Sequence, residues 1–334
     1  MNLKTLRTVK RKVLVRSLLV PLLIFGLVGI ANGQGVNEAA EAYNNASNLA
    51  KTDPVAAIAS AKESLEICDQ LGDEGADIKK RVENLMPGLY FQAGNVLARA
   101  KKISQAIPAF QEALKVSEQY KNAEFITKSK SMLPRLYNSM GSTHYKKGEY
   151  DKGLAALNQA VTYDPDYAKA YYTMGLVYKK MKDPANLELN ADKGLIAAAN
   201  SKDNKTKGLI SKAANSYFLS AGTKALTAEK FGDAVKMLTK ALKYNPKAVD
   251  TYFYLASANN EMKEYDDAIE ASNKALEMEG VDQEKNAKHY YNLGLAYKGK
   301  GDKAAACEAF NKALFGQFKE NAQYEIEHGI KCDK

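Results

Sequence analysis

The sequence predicts an all-α protein built as an elongated array of helical hairpins. Three observations lead there. From Val36 onward, apolar residues recur at three- and four-residue spacing, with alanine in quantity, which is the period of helices with one buried face. No segment sustains the alternation of valine and isoleucine that would mark strands. A pattern of small and large residues also returns after 34 residues, and such a period signals stacked repeats rather than globular domains.

The clearest unit is Pro134–Tyr167. It reads as two short amphipathic helices joined by a tight turn at Lys147-Gly148-Glu149. Gly141, Gly153 and Ala160 are its small positions, and Tyr137, Met140, Tyr145, Tyr150 and Leu157 stand between them. Helices approach closely where one presents little side chain and the other fills the gap. The next unit, 168–201, follows without a break, with Tyr171, Met174 and Gly175 in phase. Units at 215–248, 249–282 and 287–320 repeat the scheme downstream, and 87–120 repeats it upstream. A unit near 38–71 shows chiefly in its second helix, through Ala57, Ala61 and Ser64.

Extra residues, about 13–15 each time, precede Pro87, Pro134 and Asn215. The shared motifs Leu85-Met86-Pro87 and Met132-Leu133-Pro134 predict helices lengthened toward their N-termini, with proline kinking each one or marking its start. Asn200–Lys207 (NSKDNKTK) reads instead as a polar loop, with a hinge. The expected organisation is therefore an N-terminal array at 34–201, a polar connection and helix extension at 202–214, and a C-terminal array at 215–334.

In-phase recurrence over about seven units resembles the tetratricopeptide repeat family, a 34-residue helix–turn–helix that is small at its eighth, twentieth and twenty-seventh positions. The resemblance implies a right-handed α-solenoid. Two departures stand out. Tyrosine or phenylalanine replaces the family's usual tryptophan at the fourth position, and the unit at 168–201 carries Leu187 at the twentieth and loses the small pattern of its second helix. Gln317–Lys334 fits a capping helix, with Tyr324 and Ile326 inward and Lys319, Glu320 and Glu325 outward; a solenoid needs such a cap over its terminal apolar face.

The N-terminus carries a basic stretch, the apolar run Leu18–Ile30 and then Ala31-Asn32-Gly33. These are the parts of a secretory signal peptide, expected at residues 1–33. The apolar run is shorter than the roughly 18–20 residues of a spanning helix. The expected location is extracytoplasmic, either periplasmic or secreted, with any membrane link indirect, through an envelope partner.

The formal net charge is +9. Residues 1–33 supply +6 of it and the rest of the chain only +3, so the basic stripe that nucleic acid requires is missing. Gly294 to Lys300 matches the spacing of a phosphate-binding loop, but Gly301 stands where serine or threonine would bind magnesium, and no strand precedes it. His144, His289 and His328 stand apart from one another and from other ligand types. No nucleophile has an identifiable base, and acid pairs such as Asp266-Asp267 suit helix starts. The sequence therefore predicts no enzyme, no cofactor and no metal.

The family resemblance implies a concave surface lined by the first helices at their second, fifth, ninth, twelfth and thirteenth positions. The candidate groove residues are Phe91, Asn95, Arg135, Asn138, Tyr145, Lys169, Tyr172, Lys179, Phe253, Lys288 and Tyr291. Aromatic anchors flanked by cations suit an extended peptide or protein segment with apolar and acidic residues. The reading that competes with this one packs the tyrosines on helical neighbours and leaves the lysines solvated. The lysine, asparagine and arginine set that clamps chaperone C-termini in some family members is matched only at Lys288 and Asn292. The expected function is a non-catalytic scaffold or adaptor of the cell envelope, the alternative a glycan- or peptidoglycan-associated protein of the periplasm.

By the repeat phase, Cys307 lies early in the last second helix and faces Cys332 in the antiparallel cap. In an oxidising compartment the two are expected to pair, leaving Cys68 free; the alternative is two reduced, buried thiols.

Overall fold

The structure, a computed structural model, describes residues 32–332. The expected signal peptide therefore lies outside the described residues, except for Asn32 and Gly33, which open the first helix. Among the described residues every regular element is helical. Seven hairpins follow one another: α1 (Asn32–Leu49) with α2 (Pro54–Leu71), α3 (Ala76–Arg99) with α4 (Ile103–Gln119), α5 (Ala123–Lys146) with α6 (Tyr150–Tyr163), α7 (Ala168–Met181) with α8 (Pro184–Asn200), α9 (Asn204–Thr227) with α10 (Phe231–Tyr244), α11 (Val249–Glu261) with α12 (Tyr265–Glu279), and α13 (Gln283–Lys300) with α14 (Lys303–Lys312). A final helix, α15 (Lys319–Tyr324), continues through a wider turn to Gly329. Each helix packs on its successor, and the first helices of successive units also touch. The architecture is an α-solenoid.

Helix starts are set by side-chain caps. Asp53, Asn122, Asp183, Asp203, Asp282 and Asp302 each accept a backbone N–H three residues on, satisfying a donor that the helix leaves free. The turn inside each hairpin is equally uniform. Lys101, Gly148, Lys182, Glu229, Lys263 and Gly301 all occupy the left-handed region, and all are the fifteenth residue of their units. Only Gly148 and Gly301 enter that region without a steric penalty.

The three long insertions are N-terminal extensions of first helices: α3, α5 and α9 each run 24 residues. Pro87 and Pro134 sit inside α3 and α5, buried, rather than at their starts. The polar stretch Asn200–Lys207 is not a loop as expected. Asp203 caps α9, so only residues 201–203 lie between helices. The core is continuous there, since Leu187 and Ala191 of α8 pack with Ile210, Ala214 and Phe218 of α9 and Tyr244 of α10. Outside that core, Glu188 binds Lys240 and Lys243, and Asp192 accepts from the Tyr244 hydroxyl at 2.9 Å.

The core shows why small residues recur. Ala106, Ala234, Ala268 and Ala306 at the twentieth position are fully buried, as are Ala113, Ala160, Ala241, Ala275 and Ala313 at the twenty-seventh. Unit four keeps a small residue at its twenty-seventh position, contrary to expectation: a Cβ on Gly194 would lie 2.7 Å from Ile210 and 2.9 Å from Tyr171.

The cap differs from its predicted orientation. Tyr324 is exposed, against the His328 ring, whereas Glu325 turns inward to bind Lys298 at 2.6 Å. The inward stripe is Ala322, Ile326 and Ile330, packed on Phe310 and Ala313. That stripe runs at four-residue spacing, which the π turn at Glu325–Gly329 extends. Cys307 and Cys332 are joined by a disulfide with Cα atoms 5.7 Å apart, and Cys68 is free and buried.

Candidate functional site

The candidate groove residues all fall on first helices, but their environments divide them. Phe91 packs edge-on against Phe110 and tilted on Phe125, at 5.3 and 5.5 Å. Asn138 accepts from the Thr173 hydroxyl at 3.0 Å, tying α5 to α7. Tyr145 lies beside Tyr150, and Asn95 bonds weakly within its own helix to Gln92. Arg135 and Lys169 line a recess with Asp164, Asp166 and Asp203, so carboxylates already face these cations.

At the C-terminal end the face is covered by the chain itself. Phe318, from the segment after α14, packs on Phe253 at 6.0 Å and on Tyr291 at 5.5 Å. Lys288 pairs with Asp250 at 2.6 Å and lies over the Phe253 ring. Phe253 and Tyr291, expected as peptide contacts, thus seat the C-terminal segment, and Lys288 is already held by Asp250.

The remaining pair, Tyr172 and Lys179, lines a shallow apolar slot, half open to solvent, that encloses about 20 Å³. It lies between α7 and α9, the first helices of consecutive units, with Leu187 and Ala191 of α8 behind it. Gly175, Leu176, Ile210, Ala213 and Ala214 complete it. At its edge the C-terminal end of α7 carries Lys179 and Lys180, exposed and in no salt bridge among the described residues, while Lys146 and Lys147 close the neighbouring α5, Lys147 near the Glu149 charge. Lysines there complement the helix dipoles and leave a basic rim over an apolar floor.

The P-loop-like spacing lies within α13, where Gly294 meets the Phe310 ring and Gly299 the Tyr265 ring, so it cradles side chains rather than phosphate. No group of three or more His, Cys, Asp or Glu residues among the described ones could hold a metal ion. No helix among them is long and apolar enough to cross a membrane.

His289 is fully buried, and neither ring nitrogen has a hydrogen-bond partner; the nearest carboxylate, Glu279, is 3.7 Å away. Burial, assisted by the Lys288 charge, lowers its pKa to about 4. The unfolded chain binds this proton near pH 6.5, so the folded state loses stability as pH falls from there toward 4. Urea titrations at pH 7.5 and 4.5 should show a loss of about 2–3 kcal/mol at most from this residue, absent in His289→Leu. Equal pH dependence in both proteins would overturn the assignment.

Stacked hairpins with an exposed first-helix face define a helical-repeat solenoid. Tetratricopeptide repeat profiles match residues 87–120, 132–182, 219–282 and 287–314, more than half of the chain, and the chain belongs to the tetratricopeptide repeat family. A curated relative, the uncharacterized protein ycf37 of Pyropia yezoensis, is 28% identical over 138 residues, which cover 41% of this chain and 75% of the relative. Among solved structures, MamA is similar at 21% identity and a TM-score of 0.34, over 59% of this chain and 96% of its own. YrrB, described as a TPR protein with an unusual peptide-binding site, is similar at 21% and 0.31, over 54% and 84%. The TPR2AB domain of yeast Sti1, in complex with pHSP90, is similar at 20% and 0.29, over 74% and 94%.

Proposed function

We propose that this protein is a non-catalytic scaffold that binds a segment of a partner protein along its concave first-helix face, outside the cytoplasm. The observation that carries the reading is the central stretch from α5 to α9. There the face is not plugged by Phe318; carboxylates meet Arg135 and Lys169 at one end of it, but Tyr172, Leu176 and Lys179 stand around an open slot, with Lys179 in no salt bridge among the described residues. Family membership supports protein binding over catalysis. The N-terminal pattern at residues 1–33 supports export, and the disulfide supports an oxidising compartment.

A photo-crosslinking residue placed at Tyr172 in intact cells should capture the partner. The same residue at Ile196, exposed on the second helix of the same unit, should not. Capture from Ile196 alone would move binding to the convex side and sink the groove reading. Retention of the purified protein on cell-wall glycan, without protein, would favour the glycan alternative.

A further inference from the structure

In four units the eighth position is glycine, and the twenty-fourth supplies the large side chain that fills its place. An added Cβ on Gly94 would lie 3.0 Å from Phe110; on Gly141, 2.6 Å from Leu157; on Gly222, 2.6 Å from Leu238; and on Gly294, 2.6 Å from Phe310. Each is a knob seated in a hole made by a missing side chain. Unit four departs from this scheme in one particular way. Its eighth residue is again glycine, Gly175, but its twenty-fourth is Ala191, and nothing lies within 4 Å of a Cβ at Gly175.

The sizes have been exchanged along α8. Leu187 occupies the twentieth position, where the other second helices carry alanine or glycine, and Ala191 occupies the position of the knob. Leu187 is buried elsewhere, against Ile210 and Ala214, and does not reach Gly175. The twenty-seventh position of the same unit is tightly packed, as the contacts of Gly194 show. Unit six also lacks a large knob, but its pair is Ala256 and Ser272, both fully buried. Gly175 is only half-buried, and its hole opens beside Tyr172 and Lys179.

We propose that a partner supplies the missing knob: one aliphatic side chain, of leucine, isoleucine or methionine, enters the slot against Gly175 and Ala191. A carboxylate next to it in the partner's sequence meets Lys179. The occupant is thus an acidic segment with an aliphatic anchor. The chemistry follows from the slot itself. Leu176, Leu187, Ile210 and Ala214 give the anchor an apolar wall with no hydrogen bond to offer. Lys179 and Lys180 are exposed, and no carboxylate among the described residues forms a salt bridge with them. An aliphatic group gains by leaving water there, and charge complementarity at the rim sets the neighbours it accepts. The inference rests on the groove reading above and narrows it to one subsite.

The test uses methyl-labelled full-length protein and blocked pentapeptides as probes. Gly-Glu-Leu-Glu-Gly should shift the methyl signals of Leu176, Leu187 and Ile210. Replacing its leucine by alanine should weaken binding roughly tenfold or more, and replacing both glutamates by lysine should abolish it. Ala191→Leu should restore the intramolecular knob, hold or raise the melting temperature and abolish the shifts. Lys179→Glu, on an exposed helix surface, should leave melting unchanged and reverse the preference between the glutamate and lysine peptides. Shifts at Leu219, the fifth residue of the next unit, with none at the three slot residues would overturn the subsite while keeping the groove. No shift along any first helix would sink both, and equal binding of the leucine and alanine peptides would remove the anchor.

Discussion

Replacing Phe310 with alanine is expected to cost about 3–5 kcal/mol, the largest effect of any single substitution proposed for this chain. Phe310 is fully buried and packs with Ala306, Ala313 and Ala322. Its ring fills the hole at Gly294 and lies 5.8 Å from the Tyr291 ring. Truncation removes the knob and leaves a cavity that the rigid backbone of α13 cannot collapse into. Because a solenoid unit touches only its neighbours, the loss should concentrate in α13, α14 and the cap. Hydrogen exchange should accelerate in α13 to α15 while α5 and α6 keep their protection. The reciprocal change, Gly294→Ala, overpacks the same contact and should cost about 1–3 kcal/mol. A loss below 1 kcal/mol for Phe310→Ala would mean that the knob is not what holds the last unit closed.

The same position explains how far the sequence could be read. Period, hairpin order and the small positions are written in residue size, since Gly141 with Leu157 and Gly222 with Leu238 are local pairs at fixed separation. The lengthening of α3 and α5 is legible from the shared motif before Pro87 and Pro134, whereas the polar residues that open α9 carry no such mark. The candidate site was legible only as a set of helix faces. Phase alone puts Phe253, Tyr291 and Lys288 on the same face as Tyr172 and Lys179, and nothing local says that Phe318 will return to cover the first group. The capping helix failed for a related reason. Tyr324 is more apolar than Glu325, but the inward stripe is fixed by Ala322, Ile326 and Ile330, and Lys298 compensates the buried carboxylate. The slot did leave a signal. Leu187 stands where the other units carry a small residue, and its meaning lies in the paired loss at Ala191, which shows only when the eighth and twenty-fourth positions are compared across units.

Reducing the Cys307–Cys332 bond should destabilise the C-terminal end by about 3.5 kcal/mol, the chain-entropy value for a loop of this length; the two cysteines are 25 residues apart. That loop contains Phe318, the inward stripe of the cap and Glu325, which binds Lys298. These contacts are few, and α15 is only six residues long, too short to persist alone. Without the crosslink the entropy of residues 313–332 opposes them directly, so the cap should open before the repeats unfold. Two things follow. Exchange across residues 319–329 should rise toward that of a free chain, and Phe253 and Tyr291 should become accessible as the Phe318 ring withdraws. The Cys307→Ser, Cys332→Ser double variant should behave like the reduced protein and be insensitive to added reductant, which separates loss of this bond from any effect at Cys68. In the unreduced, denatured protein a thiol assay should detect Cys68 alone. If reduction leaves both the unfolding midpoint and the exchange of the cap unchanged, the noncovalent contacts suffice. The first-helix face at Phe253 and Tyr291 would then stay covered by Phe318 whatever the redox state, and partner binding would be confined to the stretch around Tyr172 and Lys179.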